Sequence, residues 1–152
     1  MIQRVQSIWL LLASLTLFLL LLFPIVNKQV GGAEYSLLVT GLYQKVNGVS
    51  TRITSYIPLF TSTIVIALLA LINIFNFKNR SLQKTISTII MILIAGLSFW
   101  VNIVAQQIPG GTTGASFGAG AFLPVLAIIW SFLAVRGIRK DEQLIKSADR
   151  LR

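Results

Sequence analysis

Cysteine and histidine are both absent from this chain of 152 residues. The first absence excludes disulfides and thiolate chemistry. The second removes the commonest metal ligand and the usual general base near neutral pH. Acid is scarce too: the four carboxylates are Glu34, Asp141, Glu142 and Asp149, and three of them fall in the last twelve positions. Glu34 therefore has no His, Cys or second carboxylate on its side of the chain to complete an acid–base pair, so no catalytic residue, metal or cofactor is expected. The Gly-rich stretch 109–121 is not a phosphate loop either. A Walker ending needs Gly-Lys-Ser/Thr, and no Lys or Arg occurs between Lys84 and Arg136.

Charge of either sign is also missing from four long runs, residues 8–26, 57–77, 86–105 and 117–135. With 55% hydrophobic and 11% charged residues and a mean hydropathy of +0.83, the composition lies far outside that of soluble domains. A run of about 20 apolar residues is about 30 Å long as a helix, the thickness of a bilayer's hydrocarbon core. The first run exceeds the core of a signal peptide, about 7–15 residues, so it reads as a retained span. These runs predict a single integral membrane domain, 1–152, of the all-α class: a four-helix transmembrane bundle. A net charge of +9 would suggest nucleic acid in a soluble protein. Here the basic residues flank apolar runs, so topology and anionic headgroups explain them and no nucleic acid is expected.

Orientation follows from the same residues. Arg4, the loop Lys78/Arg80/Lys84 and the tail Arg136, Arg139, Lys140, Lys146, Arg150 and Arg152 make ten basic residues on one side, against Lys28, Lys45 and Arg52 on the other. Ten against three puts both termini in the cytoplasm and loop 27–54 outside. In that loop, residues 35–40 and 42–46 are rich in aromatic and β-branched types, and Asn47-Gly48 is the strongest short hairpin signal, so a small β-hairpin is expected. Tail 136–152 has Leu144, Ile145, Ala148 and Leu151 on one helical face and Glu142 four residues before Lys146, an amphipathic helix on the headgroups or a continuation of the fourth span.

Polar groups inside the runs must find partners in lipid. Ser62, Asn73, Asn76, Ser98, Asn102 and Gln106 are candidates for interhelical hydrogen bonds, the stripe Ser87, Met91, Ala95, Ser98, Asn102 and Gln106 of the third span being expected to face the bundle interior. Gly114/Gly118 and Ser116/Gly120 have small-xxx-small spacing, so Gly114, Gly118 and Gly120 are candidates for close helix packing at the start of the fourth span, with Pro124 loosening it. In the tail, Asp141, Glu142 and Asp149 interrupt the basic face. Pure lipid-surface helices carry mainly Lys and Arg, so Asp141, Glu142, Leu144, Ile145 and Asp149 are the candidate docking surface for a protein partner.

The two ends carry a resemblance. Met1-Ile2-Gln3-Arg4-Val5-Gln6-Ser7 runs straight into the first span. The chain closes on Gly137-Ile138-Arg139-Lys140-Asp141-Glu142-x-Leu144-Ile145-Lys146-Ser147-x-Asp149-Arg150-Leu151-Arg152. In both it resembles a bacterial family of small four-span integral membrane proteins of unknown function. The resemblance implies an inner-membrane location and supplies no activity or site residue. The layout is also similar to claudin-like four-helix membrane proteins, without their paired Cys.

Two functions are weighed. The first is a non-enzymatic inner-membrane accessory or scaffold protein that binds another membrane or envelope component, besides the lipid bilayer itself. The alternative is a small transporter or channel using the polar stripe of the third span, although none of the four spans holds the ionisable residue that ion-coupled transport usually uses. Homo-oligomerisation stays open.

Overall fold

The sheet-forming part of the chain begins earlier than the apolar runs imply. In the computed structural model, which describes residues 3–149 and the side chains of 5–144, the first helix α1 (Gln3–Leu19) stops well short of residue 26. Turn hydrogen bonds close it, Leu22 N–H to Leu19 C=O at 2.9 Å and Phe23 N–H to the same carbonyl at 3.2 Å. Pro24 then disfavours a helical Phe23, and Ile25 N–H is already bonded to Leu37 C=O at 2.8 Å. From there the chain lays down β1 (Val26–Val30), β2 (Ala33–Leu38), β3 (Gly41–Val46) and β4 (Val49–Ser55). A fifth strand, β5 (Ser116–Phe117), returns from the far loop.

The all-α expectation is therefore wrong. Four helices carry a five-stranded antiparallel sheet in the order β4-β3-β2-β1-β5, of which only the part around the Asn47-Gly48 hairpin was foreseen. That turn has φ of +50° at Asn47 and +83° at Gly48, the left-handed pair a two-residue hairpin of this type needs. β1 escaped because Ile25 and Val26 are buried, and a buried strand start cannot be told from the end of an apolar helix by periodicity. β5 is two residues long and has no pattern of its own.

α2 (Ile57–Asn73) follows β4 directly, with Pro58 in its first turn, where the missing N–H costs nothing. A short 3-10 segment, Ile74–Lys78, leads to α3 (Arg80–Ala105), capped by the Asn79 side chain accepting from Leu82 N–H at 3.2 Å. α4 (Leu123–Asp149) starts later than expected. Residues 116–121 are strand and 3-10 turn instead of helix, so Pro124 lies in the first turn of α4 and not in the helix interior. The same helix continues through the described part of the tail, to Asp149, so that part is no separate element.

α1 packs on α2 and α4, and α3 packs on the same two, a square of antiparallel neighbours with the sheet at one end. Trp9 of α1 stacks on Trp130 of α4, centroids 5.3 Å apart and planes 12° apart. One core runs without interruption from the sheet (Val26, Leu37, Leu42) into the bundle (Leu17, Ala67, Ile94, Ala127). Three helical segments, Ile57–Lys78, Arg80–Ala105 and Ala119–Leu144, are long and apolar enough to cross a membrane, and Val5–Leu19 is a shorter apolar helix.

Candidate functional site

The sheet presents two different faces because neighbouring residues of a strand point oppositely. Val26, Leu37 and Leu42 are buried toward the bundle. The other face carries the cross-strand row Gln29–Glu34–Lys45–Ser50 and beside it Asn27–Ser36–Tyr43–Arg52. Glu34, Ser36, Leu38, Tyr43, Lys45 and Ser50 line an open trough of about 250 Å³ there. Strand β4 closes the sheet on one side, and all seven of its residues are exposed. An edge of this kind shows unpaired backbone N–H and C=O groups that can take a further strand. A register shift opposite Leu42/Tyr43 bends it near Ile53, leaving Val49–Arg52 as its regular part.

Several ties fix the sheet to the loop between α3 and α4, and the sequence pattern signalled none of them. Lys28 is buried, and its ammonium donates to Gly110 C=O at 2.7 Å and Gly111 C=O at 2.8 Å. Tyr56, at the start of α2, donates its hydroxyl to Gln107 Oε1 at 3.2 Å. Burial pushes the Tyr56 phenol up from its ordinary value, which keeps it a donor. Gly118 N–H bonds Ile25 C=O at 2.9 Å, and Gly120 N–H bonds Pro24 C=O at 3.0 Å. A Cβ on Gly118 would lie 2.3 Å from Pro24 O, and one on Gly120 2.6 Å from Phe23 O. Gly118 and Gly120 thus make close backbone approaches, but to the chain between α1 and β1 and not between two helices. Gly114 sits in a turn with φ +73° and open space around it.

The polar candidates divide in a similar way. Asn73 is fully buried and crosses to α3, Nδ2 donating to Gln83 C=O at 3.1 Å and Ser87 Oγ at 2.9 Å, while Gln83 Nε2 returns to Asn73 C=O at 3.2 Å. Asn76 reaches only Asn73 Oδ1, at 3.4 Å. Ser62 and Ser98 donate to carbonyls of their own helices, Leu59 and Ile94. Gln106, the cap that follows α3, donates to Asn102 at 3.4 Å. The α3 stripe does not face the interior throughout: Ser87 is buried, but Ala95, Asn102 and Gln106 are exposed, and Ile90, Ile94, Leu97 and Val101 fill the inward side. A true crossing bond that the pattern missed is Ser14 Oγ to Ala67 C=O, 2.9 Å, between α1 and α2.

At the end of the bundle away from the sheet, Asp141 is turned inward, 6% exposed, and accepts from Gln6 Nε2 of α1. Glu142 pairs with Lys84 of α3 at 2.9 Å. Leu144 is exposed, and the side chains of Ile145 and Asp149 lie outside the described residues. Among the described residues no group of three or more Asp, Glu, His or Cys side chains is placed to hold a metal.

Neither the curated proteins nor the solved structures contain a match to this chain. A family match does exist, over residues 2–151, nearly the whole length, and it takes in the helices, the sheet and the tail together. The chain belongs to the family described as a domain of unknown function, DUF4293.

Proposed function

We propose that the protein is a non-enzymatic accessory or scaffold protein of the bacterial inner membrane that binds another membrane or envelope component through its sheet. The observation that carries this reading is β4, a seven-residue edge strand exposed at every position and paired, among the described residues, on one side only. Such an edge offers main-chain hydrogen bonds to an extended partner segment, and the polar face beside it offers side-chain specificity. Both termini are placed in the cytoplasm by the distribution of basic residues, so the sheet lies on the opposite side. The cytoplasmic contribution to docking falls to the tail beyond Glu142, since Asp141 and Glu142 already have partners inside the chain.

A photo-crosslinking residue at Thr51 in intact cells tests the proposal, with Val65 on the exposed face of α2 as the lipid-facing comparison. A discrete adduct from Thr51 and none from Val65 is expected; no adduct at Thr51, or the same adduct at both, removes the docking role. Cys at Asn47 should label only from outside the cytoplasm, and Cys at Asn79 only from within. The transporter alternative has less support, because the inward side of α3 is apolar between Ser87 and Ala105. Solute flux in proteoliposomes that Asn102→Leu abolishes without loss of folding would restore it.

A further inference from the structure

Between the sheet-side ends of α3 and α4 lies a cleft of about 220 Å³ whose lining contains no charged residue. Val101 and Ala105 form one wall, Pro124 and Val125 the other, and Ile25 and Val26 lie between them. Phe117 is 68% exposed at its rim and Phe122 63% exposed just before α4. The close seating of Gly118 and Gly120 on the backbone of Phe23 and Pro24 brings no side chain in to replace them.

The polar groups of the cleft are arranged along it. Ser98 lies deeper, one helical turn from Asn102, and Thr112 lies on the sheet side. The Ser98 hydroxyl is used by Ile94 C=O at 2.8 Å. Asn102 accepts from Gln106 through Oδ1, and among the described residues its Nδ2 and the Thr112 hydroxyl donate to no protein acceptor. The cleft therefore offers neutral donors at its sheet end and hydrocarbon surface below. Both walls belong to helices long and apolar enough to cross a membrane; with both helices in the bilayer, the mouth would open on it near the level of the headgroups.

We propose that this cleft binds one acyl chain of a glycerolipid from the sheet-side leaflet, with the ester carbonyl accepting from Asn102 Nδ2 and Thr112. The volume holds about seven water-sized groups, a segment of one chain and not a whole two-chain lipid. A fatty-acid carboxylate or a phosphate would call for a cation, and the lining has none. Moving a chain from bilayer hydrocarbon into an apolar cleft gains no hydrophobic term, so the ester hydrogen bonds decide which lipid stays. The proposal needs only that α3 and α4 cross the bilayer, and it stands or falls independently of any partner at β4.

Native mass spectrometry of the full chain in non-ionic detergent, with dioleoyl phosphatidylethanolamine and its diether analogue added, tests it. The wild type should retain one diester lipid and prefer it to the diether about tenfold, the weight of one to two such hydrogen bonds. Asn102→Leu should lose that preference. Val125→Trp should lose the bound lipid, while Val65→Trp on α2 keeps it; both positions are exposed and tolerate bulk. Equal retention of diester and diether, unchanged binding in Val125→Trp, or stronger retention of oleate than of the diester would each overturn the proposal.

Discussion

Gly118→Ala is the sharpest test of how the sheet is mounted on the bundle. The backbone there has φ −79° and ψ 175°, extended geometry open to any residue, so conformational strain cannot explain the requirement for glycine. What forbids a methyl group is space: the added Cβ would lie 2.3 Å from Pro24 O and 3.1 Å from Pro24 C, both backbone atoms. No rotamer change relieves this, and the strand and turn must move apart by about 1 Å to reach ordinary contact. Overpacking of this kind costs about 1–3 kcal/mol. The displaced Gly118 N–H to Ile25 C=O bond adds about 1 kcal/mol. The sum is about 2–4 kcal/mol, a fall in thermal midpoint of about 4–16 °C for a chain of this size. Gly96→Ala supplies the control, because nothing lies within 4 Å of a Cβ there and alanine is the better residue within a helix, by up to about 1 kcal/mol. Thermal unfolding in one detergent should therefore shift the two variants in opposite directions. A Gly118→Ala protein that melts with the wild type would refute the close approach and with it the mounting of β5 on β1.

Replacing Asn73 with Leu should cost about 1–3 kcal/mol in denaturant titrations, because Ser87 and the Gln83 carbonyl each lose a buried donor from α2 and keep only their bond to each other within α3; an unchanged midpoint would show the clasp to be dispensable. Asp141→Asn keeps an acceptor for Gln6 and should be nearly neutral, whereas Asp141→Leu leaves the Gln6 amide unpaired and should destabilise by about 1–3 kcal/mol. Equal loss in both variants would mean that the charge of Asp141, and not its hydrogen bond, is what matters. The Tyr56 phenol titrates above its unfolded value of 10.0, so the stability it contributes is present in full below pH 10.0 and is lost as pH rises through the higher folded value. Tyr56→Phe should flatten that alkaline loss in a stability–pH series, and identical curves would exclude Tyr56 as its source.

The parts of the fold that were legible in the sequence are those written in a period or in a single forced conformation. α2 and α3 follow from uninterrupted apolar runs, and the Asn47-Gly48 turn from the two residues that accept positive φ. Strands β1 and β5 were hidden by burial and by sequence distance. Val26 is 2% exposed and continues the apolar run of α1 without a change in composition. Ser116–Phe117 pairs with Asn27 and Val26, a contact between segments that share no local signal. Gly118 and Gly120 marked positions where side chains do not fit, but not which backbone comes close. The buried Lys28 reads in sequence as one more surface charge, and only the sheet brings its ammonium onto the 110–111 carbonyls. Among the polar residues of the spans, spacing could not separate Asn73, which crosses to α3, from Ser62 and Ser98, which bond within their own helices. Hydroxyls can always reach a carbonyl three or four residues back.

These ties bear on how an edge strand serves a docking reading. Binding loses free energy to every segment that must be ordered on contact, and a pre-ordered surface avoids that loss. A sheet held only by its connections to α1 and α2 would rock on two points. This one is also fixed to the loop between α3 and α4, through Lys28, through Tyr56 and through the Gly118 and Gly120 amides. The Lys28, Gly118 and Gly120 attachments lie on β1, on its β5 neighbour or in the turn before β1, while Tyr56 holds the Ser55 end of β4. The arrangement anchors β1 and the foot of the sheet to the bundle and leaves the Val49–Arg52 edge ordered yet unoccupied. On that argument, loosening the anchored side should weaken binding at the far edge without altering a residue a partner would touch. Lys28→Met isolates the effect, since it removes both bonds to the 110–111 turn and changes nothing on β4. The expected result is a Thr51 adduct reduced by about three- to tenfold, the weight of about 1 kcal/mol of restored disorder, in a protein that still inserts and folds. An undiminished adduct would mean that β4 is held by its own ladder to β3 and owes nothing to the bundle.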